Sequence, residues 1–182
     1  RGQNDSSAHY LELIGTAQTV EERLAADSVL HRLMLAIMRE PGAFDAPYEH
    51  LVNMGKLSSS DGKLRLINWN VPLKKGKHLY HCIVLVKDKK GGHVVFELRT
   101  PPHPERAIND RKVLTTEQWY GALYYEIIPV NKGAKTYYTT VCRKSIMPLV
   151  KIKTCFVIHQ IFRIFQILVN FVHFQQLGKL SL

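Results

Sequence analysis

The apolar positions in the first third of the chain recur with the period of a helix. Between residues 20 and 38 they are spaced three and four residues apart, which places them on one helical face. Thr19 and Glu22 have the spacing of a capping box at the start of this helix, and Pro41 predicts its end. The helical part covers residues 1–55 and includes two further predicted helices, one that ends at Ile14 and one over residues 46–54.

After residue 55 the period of the pattern falls to two, as in a strand with one buried face. Turn-forming residues separate the alternating segments, the clearest being the Asp-Lys-Lys-Gly-Gly run over residues 88–92. The predicted strands cover residues 63–69, 78–87, 93–99, 123–130 and 136–141. Tight turns join the first three, so we predict one α+β domain in which the helices pack on an antiparallel meander of about five strands over residues 56–140.

The excess of basic over acidic residues is concentrated in the last third of the chain. Lysine and arginine number 25 against 15 acidic residues, and eight of the 25 lie beyond Glu126, the last acidic residue. The first 126 residues therefore hold 17 basic and 15 acidic side chains, which is close to balance. Because the basic excess lies in a mostly apolar tail and not in a Lys/Arg stripe with interleaved aromatics, we expect no nucleic-acid partner.

The cysteines and the histidines near them lack the spacing of a metal site. Cys82, Cys142 and Cys155 are odd in number and include no CxxC pair, so they predict neither a disulfide framework nor zinc. We interpret them as small buried hydrophobes. In a strand His78 and His81 face opposite sides, so their imidazoles cannot converge on one ion. We therefore expect no metal and no other cofactor.

Two histidines are the best candidates for acid–base chemistry. His103 lies in a proline-rich loop beside Glu105, and His81 lies in a predicted strand. No Ser or Cys sits in a nucleophile-elbow motif, so we assign no catalytic residue. A hydrolase-like enzyme would need a pocket in which a histidine, an acid and a nucleophile converge within about 3–4 Å. A binding module should instead show an exposed apolar patch or an open sheet edge.

Two segments of the sheet part resemble a known family. Residues 60–72 (SDGKLRLINWNVP) and 119–129 (WYGALYYEIIP) are similar to a family of uncharacterised bacterial proteins, common in Bacteroidetes, that usually carry a signal peptide. The resemblance covers residues 5–139 and implies an exported protein of the periplasm or outer cell envelope, but no activity and no catalytic residue. We expect a fragment or a processed chain, in which the polar residues after Arg1 would be a stub left by signal cleavage.

From this resemblance we expect a non-enzymatic binding or structural role in the cell envelope, with an unknown protein or another envelope component as partner. The alternative is a hydrolase-like enzyme that uses a loop or strand histidine. After Thr139 the polar, Gly- and Asp-bearing strands typical of the family give way to a basic, apolar tail over residues 141–182.

The tail contains a dense apolar tract with polar residues at helical spacing. Between residues 154 and 174 five polar residues are spaced four and three positions apart and would share one helical face: His159, Arg163, Gln166, Asn170 and His173. The pattern predicts a basic apolar C-terminal helix. The apolar residues that would face a membrane or a partner are Phe156, Ile161, Phe162, Phe165, Leu168 and Val172.

Three interpretations of this tract compete. As a transmembrane helix it has the right length, but a central Arg163 costs about 2.5–3.5 kcal/mol on insertion scales. As an amphipathic helix, residues 154–174 would pack on a partner or make peripheral membrane contact. The third interpretation, which we favour, is a read-through in the wrong frame after about Thr139, because acidic residues and Gly-rich turns disappear together. Translating the other two frames of the encoding DNA tests it.

Overall fold

The computed structural model describes residues 2–100, 113–114, 116–119, 121–133, 135–147, 150–161 and 164–170. Within them the chain has the predicted α+β class. Two N-terminal helices pack on one face of a four-stranded antiparallel meander, and a two-stranded hairpin packs on the other face. The meander is therefore the central layer, covered on both sides.

Helices α1 (Gly2–Thr16) and α2 (Val20–Arg39) confirm the helical period of the first third. The Glu22 N–H donates to Thr19 Oγ1 at 3.1 Å, and the Thr19 N–H donates to Glu22 Oε2 at 3.0 Å, so the predicted capping box is present. The face of α2 that points at the sheet buries Ala26, Asp27, Leu30, Met34, Ile37 and Met38.

The predicted helix over residues 46–54 is wrong, because this segment consists of turns and irregular backbone. Tyr48 has a φ of 52°, which a right-handed helix does not allow. Lys56 Nζ donates to the carbonyl oxygens of Tyr48 and Leu51 at 3.0 and 2.8 Å. The lysine side chain thus donates to carbonyl oxygens that in a helix would accept hydrogen bonds from backbone N–H groups.

The meander contains β1 (Gly55–Ser58), β2 (Leu64–Pro72), β3 (His78–Lys87) and β4 (His93–Leu98), in that order across the sheet. The last three confirm the predicted strands. The pattern of apolar residues did not predict β1, which has only four residues and begins at a glycine. Its register places Gly55 opposite Asn68 of β2.

Strand β2 is buried along both faces, and this explains the two separate cores. Ile67, Trp69 and Val71 pack toward the helices. Leu64 and Leu66 pack on the other side with residues of the hairpin, including Tyr124 and Tyr138. Burial on both faces makes β2 the strand to which both outer layers attach.

The predicted single meander of about five strands is wrong, because the fourth and fifth predicted strands belong to a second sheet. Strands β6 (Leu123–Lys132) and β7 (Lys135–Met147) form the hairpin that covers the meander. The second sheet also contains β5 (Val113–Leu114), β8 (Val150–Ile161) and β9 (Ile164–Asn170), in the order β5-β9-β8-β7-β6. Strand β7 runs through the boundary at residue 140 that sequence analysis placed between sheet and tail.

The predicted C-terminal helix over residues 154–174 is also wrong where the structure describes it, because β8 and β9 are strands. In this hairpin two of the five polar residues, His159 and Gln166, lie opposite each other on neighbouring strands. Phenylalanine, isoleucine and valine, which dominate the tract, favour strands. Among the described residues no helix is both long and apolar enough to cross a bilayer.

The residues predicted to face a membrane or a partner therefore lie in paired strands and not on one helical face. Phe156 is opposite Val169, Ile161 opposite Ile164, Phe165 opposite Gln160, and Leu168 opposite Val157. Phe162 and Val172 lie outside the described residues.

Candidate functional site

A pocket opens where the edge strand of the meander meets the edge strand of the second sheet. We call it the Asn68 pocket, and it has a volume of about 240 Å³. Strands β1, β2 and β6 frame it, and β1 and β6 are both edge strands among the described elements. The lining residues are Asn53, Gly55, Leu57, Asn68, Trp69, Asn70, Leu123, Tyr124 and Tyr125.

Asn68 is the best-buried polar side chain of the pocket, with 1% of its surface exposed. Its Oδ1 accepts a hydrogen bond from the Tyr124 N–H at 3.2 Å, and this contact fixes which way the amide points. The other end of the amide, Nδ2, has no hydrogen-bond partner among the described residues. A buried donor without a partner costs about 1–3 kcal/mol, so the site is suited to a ligand that brings an acceptor.

Gly55 provides the space that the Asn68 amide occupies. The two residues are opposite each other in the sheet. A Cβ atom at position 55 would lie 2.6 Å from Asn68 Nδ2 and 2.9 Å from its Cγ, distances that real side chains do not adopt. Any other residue at this position would therefore require the Asn68 amide to shift.

Tyr125 stands at the pocket because of an irregularity in β6. The register of β6 with β7 shifts between Tyr124 and Glu126, so Tyr125 is an extra residue in the manner of a β-bulge. Its side chain is 55% exposed, which is high for a tyrosine in a strand. Bulges turn side chains out of the sheet, and this one leaves an aromatic ring beside the pocket.

The lining of the Asn68 pocket is uncharged. It consists of three asparagines, two leucines, two tyrosines, a tryptophan and a glycine. Burial raises the pKa of Tyr124 well above its usual value, and its hydroxyl accepts a hydrogen bond from Trp119 Nε1 at 2.8 Å. The pocket therefore offers hydrogen bonds and apolar contact, but no fixed charge.

A second polar site, the Asp27 cluster, joins α2 to the opposite face of the meander. It consists of Asp27, His31, Trp69, His81 and Glu97. The Asp27 carboxylate, 4% exposed, accepts a hydrogen bond from Trp69 Nε1 at 2.9 Å and lies 2.8 Å from His81 Nε2. The His81 ring stacks on Trp69 with 4.7 Å between ring centroids.

His31 completes the cluster on the α2 side. Its ring centroid is 4.9 Å from that of His81, and its Nε2 lies 2.9 Å from Glu97 Oε1. Burial, and then the nearby His81, lower the pKa of His31, and the carboxylates of Glu97 and Asp27 only partly oppose this. The folded protein therefore favours a neutral His31.

The structure thus pairs His81 with an acid that sequence analysis did not connect with it. The thiol next to it, Cys82, belongs to the core on the other side of the sheet, and burial raises its pKa, which keeps it protonated. No group of three His, Cys, Asp or Glu side chains in the described part of the chain is placed to hold a metal ion. The other candidate, His103, lies outside the described residues.

Comparison of the chain with protein-family models, with curated proteins and with solved structures finds no match. The resemblance of residues 5–139 to an exported bacterial family stays a prediction. The two segments on which it rests, residues 60–72 and 119–129, meet at the Asn68 pocket and supply six of its nine lining residues.

Proposed function

We propose that this chain is a non-enzymatic binding protein of the cell envelope and that the Asn68 pocket holds its ligand. The supporting observation is the Asn68 amide, whose Oδ1 is bonded to the backbone of β6 while its buried Nδ2 faces no acceptor in the described structure. Folding leaves such a donor unpaired at a cost, and a ligand oxygen would recover that cost on binding. The envelope location follows from the family resemblance.

Binding fits the pocket better than catalysis does. Among its lining residues none is a carboxylate, an imidazole, a lysine, a serine or a cysteine. The alternative, a hydrolase-like enzyme, rests on the 2.8 Å contact between Asp27 and His81. That contact lies between α2 and the meander, where Asp27 also accepts from Trp69, so it serves to join helix and sheet.

A thermal-shift screen with a matched pair of glycine variants tests this proposal. Gly55→Ala should displace the Asn68 amide, whereas Gly15→Ala meets no atom within 4 Å of the added Cβ. Ligand at about 100 times its Kd stabilises a protein by about 2.7 kcal/mol. We expect at least one small neutral compound to raise the Tm of the wild type and of Gly15→Ala but not that of Gly55→Ala.

Two results would count against the proposal. Compounds that raise the Tm of all three proteins equally would bind elsewhere. If no compound in the screen raises the Tm of the wild type, the proposed binding role of the pocket is contradicted.

A further inference from the structure

The Asn68 pocket combines amide groups with one exposed aromatic ring, and this combination indicates a class of ligand. We propose that it recognises a neutral saccharide, with one sugar ring seated in the pocket. The inference rests on the proposed function, that the pocket binds a ligand, and adds what the ligand is.

The absence of charge in the lining decides against ionic ligands. A phosphate, a carboxylate or an amine seated there would lose its water without gaining a charged partner from any lining residue. A neutral ligand avoids this cost. At about 240 Å³ the pocket is also smaller than the roughly 300–1,000 Å³ of sites for drug-sized molecules, which suits a single ring.

The amides match the hydrogen-bonding character of hydroxyl groups. An asparagine side chain both donates and accepts, and so does each hydroxyl of a sugar. Asn68 contributes a buried donor. Its Oδ1 is bonded to the Tyr124 N–H, and its Nδ2 has no hydrogen-bond partner among the described residues. Asn53 and Asn70 also line the pocket, one exposed and one half-buried, so polar groups continue from its base toward its rim.

Tyr125 favours a sugar over neutral molecules that offer only hydrogen bonds. A tyrosine ring has an apolar face and a polar edge, and a pyranose has an apolar face of C–H groups flanked by hydroxyls. The bulge in β6 leaves this ring 55% exposed at the pocket instead of buried in the sheet. A ligand that offered only hydrogen bonds would leave the ring in water.

An NMR titration tests the ligand class. The probes are the methyl glycosides of glucose, galactose, mannose and N-acetylglucosamine, with N-acetylglycine methylamide as a neutral probe that is not a sugar. The readout is the side-chain amide signal of Asn68. We expect at least one glycoside to shift it, with an affinity that falls about tenfold in Tyr125→Ala. The control Ile128→Ala, an exposed position on β6 that does not line the pocket, should bind like the wild type.

The outcomes separate the ligand class from the proposed function. If the methylamide shifts the Asn68 signal and no glycoside does, the saccharide inference is wrong and the binding function stands. If no probe shifts the signal, the saccharide inference is wrong, and the thermal-shift screen then decides whether the pocket binds another ligand. A glycoside that binds Tyr125→Ala as well as it binds the wild type would overturn the role of the ring and, with it, the argument for a sugar.

Discussion

Replacing Asp27 with alanine should destabilise the protein more than any exposed carboxylate replacement, because Asp27 joins three elements in the core. Its carboxylate accepts from Trp69 Nε1 in β2 at 2.9 Å and contacts His81 Nε2 in β3 at 2.8 Å, while its backbone belongs to α2. Asp27→Ala leaves both nitrogens without this acceptor in a region from which water is largely excluded.

The magnitude follows from the burial of these groups. Removing one partner of a buried, hydrogen-bonded pair costs about 3–5 kcal/mol, and two orphaned donors at about 1–3 kcal/mol each give a similar figure. This is a large part of the about 5–15 kcal/mol that stabilises a typical domain. Asp27→Asn should cost less, because its amide oxygen can still accept from Trp69.

Urea denaturation with Asp45→Ala as the control checks the prediction. Asp45 also pairs with a side chain of β3, Lys87 at 3.0 Å, but its own side chain is 70% exposed. An exposed pair of this kind contributes about 0–1 kcal/mol. Asp27→Ala should lower the unfolding free energy by several kcal/mol more than Asp45→Ala does. Equal losses in the two variants would refute the structural role assigned to the Asp27 cluster.

Two further predictions concern His31 and Tyr138. Because the pKa of His31 is lowered in the folded state from its usual 6.5, the unfolded chain binds the proton first as pH falls. Stability should therefore decrease as pH drops through about 6.5, and His31→Gln should flatten this decrease; an unchanged pH profile of urea midpoints would contradict it. The Tyr138 hydroxyl donates to Asp61 Oδ2 at 2.8 Å, so Tyr138→Phe should cost about 1.5–3 kcal/mol in the same assay, whereas no loss would show that the contact contributes nothing.

Local sequence patterns predicted the helices and strands that are determined by capping residues, apolar spacing and tight turns. Helix α2 has its capping box at Thr19 and its apolar spacing, and strands β2 to β4 have alternation and tight turns. Alternation does not specify which strands share a sheet, so the assignment of β6 and β7 to the meander was wrong. The helix predicted over residues 154–174 was wrong where the structure describes it, because polar residues at helical spacing can also lie in paired strands, as His159 and Gln166 do.

Local sequence patterns could not predict the candidate site, because its contacts join residues that are far apart in the sequence. Asn68 looks like any residue of an alternating strand, and its bond to Tyr124 joins positions 56 residues apart. Asp27 and His81 are 54 residues apart, so their pairing also depends on the packing of α2 on the sheet. One local signal existed at Gly55, a glycine at the start of a strand, which often marks a close approach of other groups.

A crystal structure grown with the tightest glycoside of the titration shows whether Asn68 Nδ2 donates to a bound ligand. We expect a sugar oxygen about 2.7–3.2 Å from Asn68 Nδ2, with the ring of Tyr125 against the sugar. A sugar bound elsewhere, or an Asn68 Nδ2 that donates to a protein atom while the pocket holds no sugar, would contradict it.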